Sequence, residues 1–308
     1  MIKIEPRILS LATRQSDIIK NYAMEIMRFN LLWKQGYTGK GMVVGVVDSG
    51  IDYNHEMLKD KVVDGYNFSD DGKPYDDIFD YNYHGTSVSA LICGDYMDYR
   101  RYGIAPESKV IVAKCMNTSG KGDFSAITNA INYCVNKNVD VINCSIGCAV
   151  NSYDMENAVR NAVKKGIPVV VSSGNEGRGD VNGAIREISY PAAYDDSISV
   201  GAMDRNFNIA SFSNSNEFVD FIAPGVQMLT AYPNNQYALV EGTSFAAPLI
   251  SGSLILLKQK FINDFKRVPN ETELYGLLMK FTRELQDINK QMQGHGYIDF
   301  SINRKKRR

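Results

Sequence analysis

The chain predicts an α/β fold in one large domain, built on a mostly parallel central sheet flanked by helices. Apolar, β-rich runs alternate with segments of helical period, the pattern of parallel strands joined by crossover helices. At 308 residues the chain can hold one large domain or two small ones, and neither an internal repeat nor a Ser/Pro-rich linker divides it. Its composition, 44% hydrophobic and 22% charged, is that of an ordinary globular protein.

Taken in order, residues 42–47 read as a strand ending at Asp48. Residues 110–114, 139–143 and 168–172 are further buried strands. Between them, 125–138 and 153–165 show helical spacing with polar outer positions. Residues 197–202 add a strand, 243–260 a long apolar helix and 271–283 an amphipathic one. In open α/β sheets, sites form at the carboxyl ends of strands. Asp48 follows one strand directly and Asn175 lies just beyond another. His84 and Ser244 each begin a helical pattern, where exposed N–H groups favour developing negative charge.

Bulk properties narrow the classes. No apolar run reaches the roughly 18 residues of a membrane span. The N-terminus, Met-Ile-Lys-Ile-Glu-Pro-Arg, has acidic and proline breaks where a secretory signal would be apolar. Cysteines 93, 115, 134, 144 and 148 are odd in number and lie mostly in apolar surroundings, so reduced thiols in a cytoplasmic protein are expected. Net charge is −1, and because residues 304–308 are all basic the remainder carries −6. That tail reads as a solvated end, and neither a nucleic-acid nor a membrane partner is expected.

Three motifs carry chemistry. They read Val-Val-Asp-Ser-Gly-Ile-Asp at 46–52, His-Gly-Thr-Ser at 84–87 and Gly-Thr-Ser-Phe-Ala-Ala-Pro at 242–248. Nucleophilic acyl transfer needs a hydroxyl to attack, an imidazole to take its proton and a carboxylate to orient that imidazole. Ser244, His84 and Asp48 supply those types, each beside small residues that admit a substrate backbone. His55 and His295 lie in contexts that do not suggest catalysis.

The order Asp…His…Ser is that of subtilisins, and the chain resembles the subtilisin family (subtilases) of serine peptidases from about Trp33 to about Phe300. A fourth motif, Val-Ser-Ser-Gly-Asn-Glu-Gly at 171–177, resembles the segment carrying the oxyanion asparagine, here Asn175. Tyr-Pro-Ala-Ala-Tyr at 190–194, residues 132–135 and the short N-terminal segment are most similar to intracellular subtilisins of Gram-positive bacteria. The resemblance implies a three-layer subtilisin-like fold. It divides the chain into an N-terminal extension at 1–18, a catalytic domain at 19–302 and a basic tail at 303–308.

It also implies a substrate groove. Ser145, Ile146 and Gly147 resemble one wall of the S1 pocket, with Ser173 and Gly174 on the other. Ser189 falls at its floor and Glu176 at its rim, which suits large apolar side chains and tolerates Lys. Gly120 and Gly122 mark an edge that pairs with extended peptides, and Phe124 and Ile127 fall at an apolar S4 pocket. Pro191 matches a cis proline. Phe245, Ser87 and Leu249 depart from the family's usual methionine and two histidines, all outside the triad.

For cations, the resemblance places Met57 and Met97 where relatives hold calcium tightly. A thioether suits a hard cation poorly, and Arg100 and Arg101 add repulsion, so that site is expected to be absent. A weakly bound structural calcium or sodium has two candidate places. One is the acidic stretch 70–80; the other is formed by Ala192, Tyr194, Ser197 and Asp220. The chemistry requires no cofactor.

The expected function is an intracellular, cytoplasmic serine endopeptidase of broad specificity acting on proteins or peptides. Alternatives are a catalytically silent subtilase-fold binding protein, or a narrow peptidase processing leader peptides or spore proteins. A homodimer stays open. The segment Ile2-Lys3-Ile4-Glu5-Pro6-Arg7 resembles the short extension that lies across the active site of intracellular subtilisins. It is expected to pair with the Gly120/Gly122 edge and to inhibit, Pro6 fixing φ and removing an N–H.

Overall fold

A computed structural model of the chain describes residues 2–3, 7–12, 22–95, 102–178 and 186–302. Two short strands, β1 (Ile2–Lys3) and β2 (Arg7–Ala12), precede helices α1 (Tyr22–Met27) and α2 (Asn30–Trp33). Then come β3 (Val43–Asp48), β4 (Val62–Asn67), α3 (His84–Cys93), β5 (Lys109–Lys114), β6 (Lys121–Gly122), α4 (Phe124–Asn136) and β7 (Val141–Cys144). Next are α5 (Tyr153–Lys164), β8 (Val169–Ser172), β9 (Ser197–Met203), β10 (Val219–Pro224), β11 (Met228–Tyr232) and β12 (Gln236–Glu241). The rest is α6 (Thr243–Phe265), α7 (Glu271–Lys280), β13 (Thr282–Arg283), α8 (Lys290–Gln293) and β14 (Tyr297–Ile298).

Nine strands form the central sheet in the order β13-β14-β10-β9-β8-β7-β3-β5-β4. All pair in parallel except β13, which lies antiparallel to β14 at one edge. Side chains of a strand alternate between faces, and here both faces are apolar. Val44, Val46, Val110, Val112 and Val170 point into one core; Val47, Ile111, Ala113, Val169 and Val171 point into a second. Helices α3 and α6 pack together over the first, α4 and α5 over the second. The result is the three-layer α/β architecture that the apolar runs predict.

Helix α6 has the length and composition of a membrane span, yet it is the central core helix, buried throughout 243–258. All five cysteines are free and four are buried. Burial pushes the Cys93 and Cys134 thiols up to about 12, and the half-buried Cys148 thiol is also raised, so none is primed as a nucleophile.

The acidic stretch 70–80 wraps an internal cation. Lys114, at the end of β5, is buried with Asp71, its Nζ 2.7 Å from Asp71 Oδ2. It donates to the Phe79 carbonyl at 3.0 Å and lies 4.9 Å from the centre of the Tyr81 ring. A lysine ammonium thus supplies charge inside the loop considered for a bound ion.

The N-terminal segment makes two pairings at separate places. Strand β1 lies antiparallel to β6, matching Ile2 with Gly122 and Lys3 with Lys121. Strand β2 adds to β12, with Arg7 opposite Glu241 and Tyr237 opposite Ala12, in a three-stranded sheet ordered β11-β12-β2. Residues 4–6, including Glu5 and Pro6, and the tail at 303–308 lie outside the described residues.

Candidate active site

Strand β3 delivers Asp48 at its carboxyl end, and α3 begins at His84. Both are fully buried, and His84 Nδ1 lies 2.8 and 2.9 Å from the two Asp48 carboxylate oxygens. The Ser49 N–H also donates to Asp48 Oδ1, at 2.7 Å. Gly85 makes this approach feasible: a Cβ there would sit 2.1 Å from the Gly50 carbonyl oxygen and 3.2 Å from Asp48 Cβ. The glycine of His-Gly-Thr is therefore steric in origin.

A residue that sequence reading missed holds the start of α3. The Asp80 carboxylate is buried and accepts five hydrogen bonds. Its donors are the Ser49 hydroxyl, the Asn82 and Tyr83 N–H groups, and both N–H and hydroxyl of Thr86. Ser49 Oγ in turn accepts from the Gly85 N–H at 3.0 Å. Asp80 thereby ties the loop after Asp48 to the helix of His84. The signal available was its place four residues before His84, obscured by the acidic stretch around it. Tyr83 adopts φ 136°, a region costing on the order of 1–3 kcal/mol for a side-chain-bearing residue, and stacks on Tyr232 at 5.5 Å.

Ser244 is the second residue of α6. Pro248, four residues on, has no N–H, so the Ser244 carbonyl lacks its helical donor. Ser145 replaces it, donating from Oγ to the Ser244 carbonyl at 2.9 Å. Asn143 Nδ2 donates to Ser145 Oγ, and the Ser251 hydroxyl donates to Asn143 Oδ1, in a buried chain beneath the serine. Asn143 is a second missed residue; a polar side chain closing an apolar strand was its only trace. Ser145→Ala leaves a buried carbonyl unpaired at the head of α6, a cost of about 1–3 kcal/mol. We expect a lower Tm and a several-fold loss of kcat, read together by calorimetry and peptide kinetics.

Ser244 Oγ donates to the Ser145 carbonyl at 3.2 Å, while His84 Nε2 is buried without a hydrogen-bond partner among the described residues. The Asp48–His84 half of the constellation is thus formed, and the serine hydroxyl is turned toward the neighbouring strand.

Asn175 lies just past β8. Its Oδ1 accepts from the Thr243 N–H at 2.8 Å and the Thr243 hydroxyl at 2.9 Å. A Cβ on Gly242 would lie 3.5 Å from Asn175 Nδ2, so the amide reaches the turn leading into Ser244.

The groove residues also gather. Ser145, Ile146, Ser173, Gly174 and Ser189 are buried, and a Cβ on Gly147 would meet Ser189 Oγ at 2.3 Å, which brings wall and floor together. Cys148 bridges Tyr190 beside them, and the Tyr190–Pro191 bond is cis, as the resemblance implies. Glu176 is exposed at the rim but held by Asn214, whose Nδ2 donates to its carboxylate at 2.7 Å. Gly120 sits in the turn before β6, and Ile127 shares a buried apolar cluster with Ile2, against which Phe124 packs.

His55 serves the fold: its Nδ1 accepts from the Met57 N–H, so Nε2 donates to the Gln236 carbonyl at 2.8 Å. His295 packs against the rings of Phe221 and Tyr275.

The cation candidates fare differently. Met57 is buried in the first apolar core, while Met97, Arg100 and Arg101 lie outside the described residues. Asp220 turns one oxygen to the Tyr275 hydroxyl and the other to the Ser199 N–H, and burial pushes its carboxyl up to about 6. The Ser197 hydroxyl donates to the Pro191 carbonyl, and the Tyr194 carbonyl accepts from the Ser197 N–H. Among the described residues no three acidic, histidine or cysteine side chains cluster as a metal site.

A profile of the subtilase family, peptidase S8, matches residues 39–296. The chain belongs to the subtilase family. It is 38% identical over 277 residues to the major intracellular serine protease of Bacillus subtilis (strain 168), covering 89% of this chain and 86% of that one. It is 37% identical over 276 residues to an intracellular serine protease of Paenibacillus polymyxa, covering 89% and 83%. Subtilisin E of Bacillus subtilis (strain 168) is 35% identical over 240 residues, 78% of this chain and 61% of that protein. As a subtilase the chain is a serine endopeptidase acting on protein or peptide substrates.

Proposed function

We propose that this subtilase cleaves peptide bonds in the cytoplasm through Ser244, His84 and Asp48, with broad specificity. The observation that carries the reading is the buried His84–Asp48 pair beside the serine that opens α6. Asp48 fixes Nδ1 as the protonated ring nitrogen, which leaves Nε2 as the base. Attack requires Ser244 Oγ to leave the Ser145 carbonyl and pass its proton to Nε2, forming an acyl-enzyme that water then hydrolyses. Asn175 and the Ser244 N–H donate to the oxyanion. No cofactor takes part. A fluorophosphonate probe tests the assignment: labelling at Ser244 is expected, and an unlabelled Ser244 in folded protein would overturn it.

The same reading includes restraint of the enzyme by its own N-terminus. The pairings of β1 with β6 and of β2 with β12 support it, because they fill the edge of the groove and the strand that runs into Gly242. Ile2, fully buried in the cluster of Ile127, occupies the place expected for a substrate's apolar side chain. Deleting residues 1–16 is expected to raise the initial rate on a small peptide, and full-length protein should show a lag that shortens as the segment is trimmed. Equal initial rates without a lag would remove the inhibitory role.

A further inference from the structure

We infer that Glu241 selects a basic side chain on the leaving side of the scissile bond. This rests on the reading of Ser244 as nucleophile and of the N-terminal segment as a substrate stand-in.

Position comes first. Glu241 ends β12, and Gly242 and Thr243 alone separate it from Ser244. The edge expected to hold the acyl side, at Gly122, is taken by β1, whereas β12 is taken by β2, later in the same segment. A substrate running in that direction meets Gly122 before the serine and Glu241 after it. Main-chain pairing along β12 accepts any sequence, so selectivity there must come from side chains.

Charge comes second. The Glu241 side chain is only 16% exposed, and its cationic partner is Arg7, directly opposite in the strand register and 3.7 Å away. Arg7 itself is 74% exposed, the ordinary state of a long side chain laid along a groove. Arg7, Glu241, Gly242, Phe212 and Asn175 line one cleft, so the ion pair adjoins the oxyanion residue. When β2 leaves, the Glu241 carboxylate loses both its cover and its cation, and an arginine or lysine arriving on a substrate strand in the same place restores them. Glutamate at that substrate position meets like charge instead.

The test uses full-length protein after any lag, with internally quenched peptides of one acyl side. Arg, Gln or Glu is placed in turn at each of the first three leaving-side positions. At one position the Arg peptide should exceed the Glu peptide in kcat/KM by roughly tenfold at low salt, shrinking as salt is added. In Glu241→Gln that ratio should fall below about twofold, and in Glu241→Lys it should invert. Ratios within one enzyme cancel any general loss of stability. Cleavage with no Arg preference, or a preference unchanged in Glu241→Gln, would overturn this inference alone. Failure to cut any peptide would overturn the proteolytic reading with it.

Discussion

Ser244→Ala is expected to lower peptide hydrolysis by about a million-fold, to near background, while the protein stays folded. That magnitude belongs to a relative: removing the nucleophile of a subtilisin costs about 2 × 10⁶ in kcat, and the remainder comes from oxyanion stabilisation and binding. The fold should hold because the hydroxyl contributes a single 3.2 Å hydrogen bond to Ser145. The main-chain carbonyl of residue 244, which braces α6 through Ser145 Oγ, is untouched. Hydrolysis and circular dichroism measured on the same preparation decide it. Turnover near the wild-type value in a folded variant would refute the mechanism.

Lys114→Met is expected to lose about 3–5 kcal/mol of stability, the range for removing one partner of a buried ion pair. Both side chains are closed off from solvent, 1% exposed each, so Asp71 would keep an uncompensated charge. Burial by itself would raise the Asp71 carboxyl, but hydrogen bonds from Lys114 and Asn67 outweigh it and hold the carboxyl below its ordinary value. A depressed carboxyl contributes stability above the unfolded-state value and loses it as pH falls through the folded one. Without Lys114 the sign reverses, and protonating Asp71 relieves the variant. The gap between wild type and variant should therefore be widest near neutral pH and narrow toward pH 4. Denaturant titrations at several pH values measure it. A variant within about 1 kcal/mol of wild type at neutral pH would contradict the argument.

The strands legible in the sequence were those buried on both faces. Val43–Asp48, Lys109–Lys114 and Val169–Ser172 are continuous apolar runs, and the structure places them within a residue or two of their expected bounds. Strand β4 escaped because it is a sheet edge, Val-Val-Asp-Gly-Tyr-Asn, with Asp and Gly where a central strand would carry valine. Strands β10 to β12 escaped because β10 mixes Asp and Pro into its run while β11 and β12 form a hairpin through Pro233-Asn234-Asn235. The helix expected at 271–283 stops at Lys280, and its last residues leave to pair as β13 with β14, a tertiary choice that helical spacing does not record.

At the site, Asp48, His84, Ser244 and Asn175 announce themselves through their small neighbours. Gly85 shows why, since the backbone contact it allows tolerates no side chain. Asp80 and Asn143 do not announce themselves. Their work is done by hydrogen bonds to groups distant in sequence, or close in sequence but indistinguishable from any loop aspartate.

Helix α6 is both the centre of one core and the bearer of Ser244, the proposed nucleophile. Many enzymes hang their reactive groups on loops that can open while the rest of the molecule stands. Here Ser244 is anchored in what should be among the last regions to exchange with solvent. A partly unfolded copy that has loosened this helix is therefore a disarmed copy. Among other susceptible chains, damage to this protein would turn it from an attacker into one more substrate.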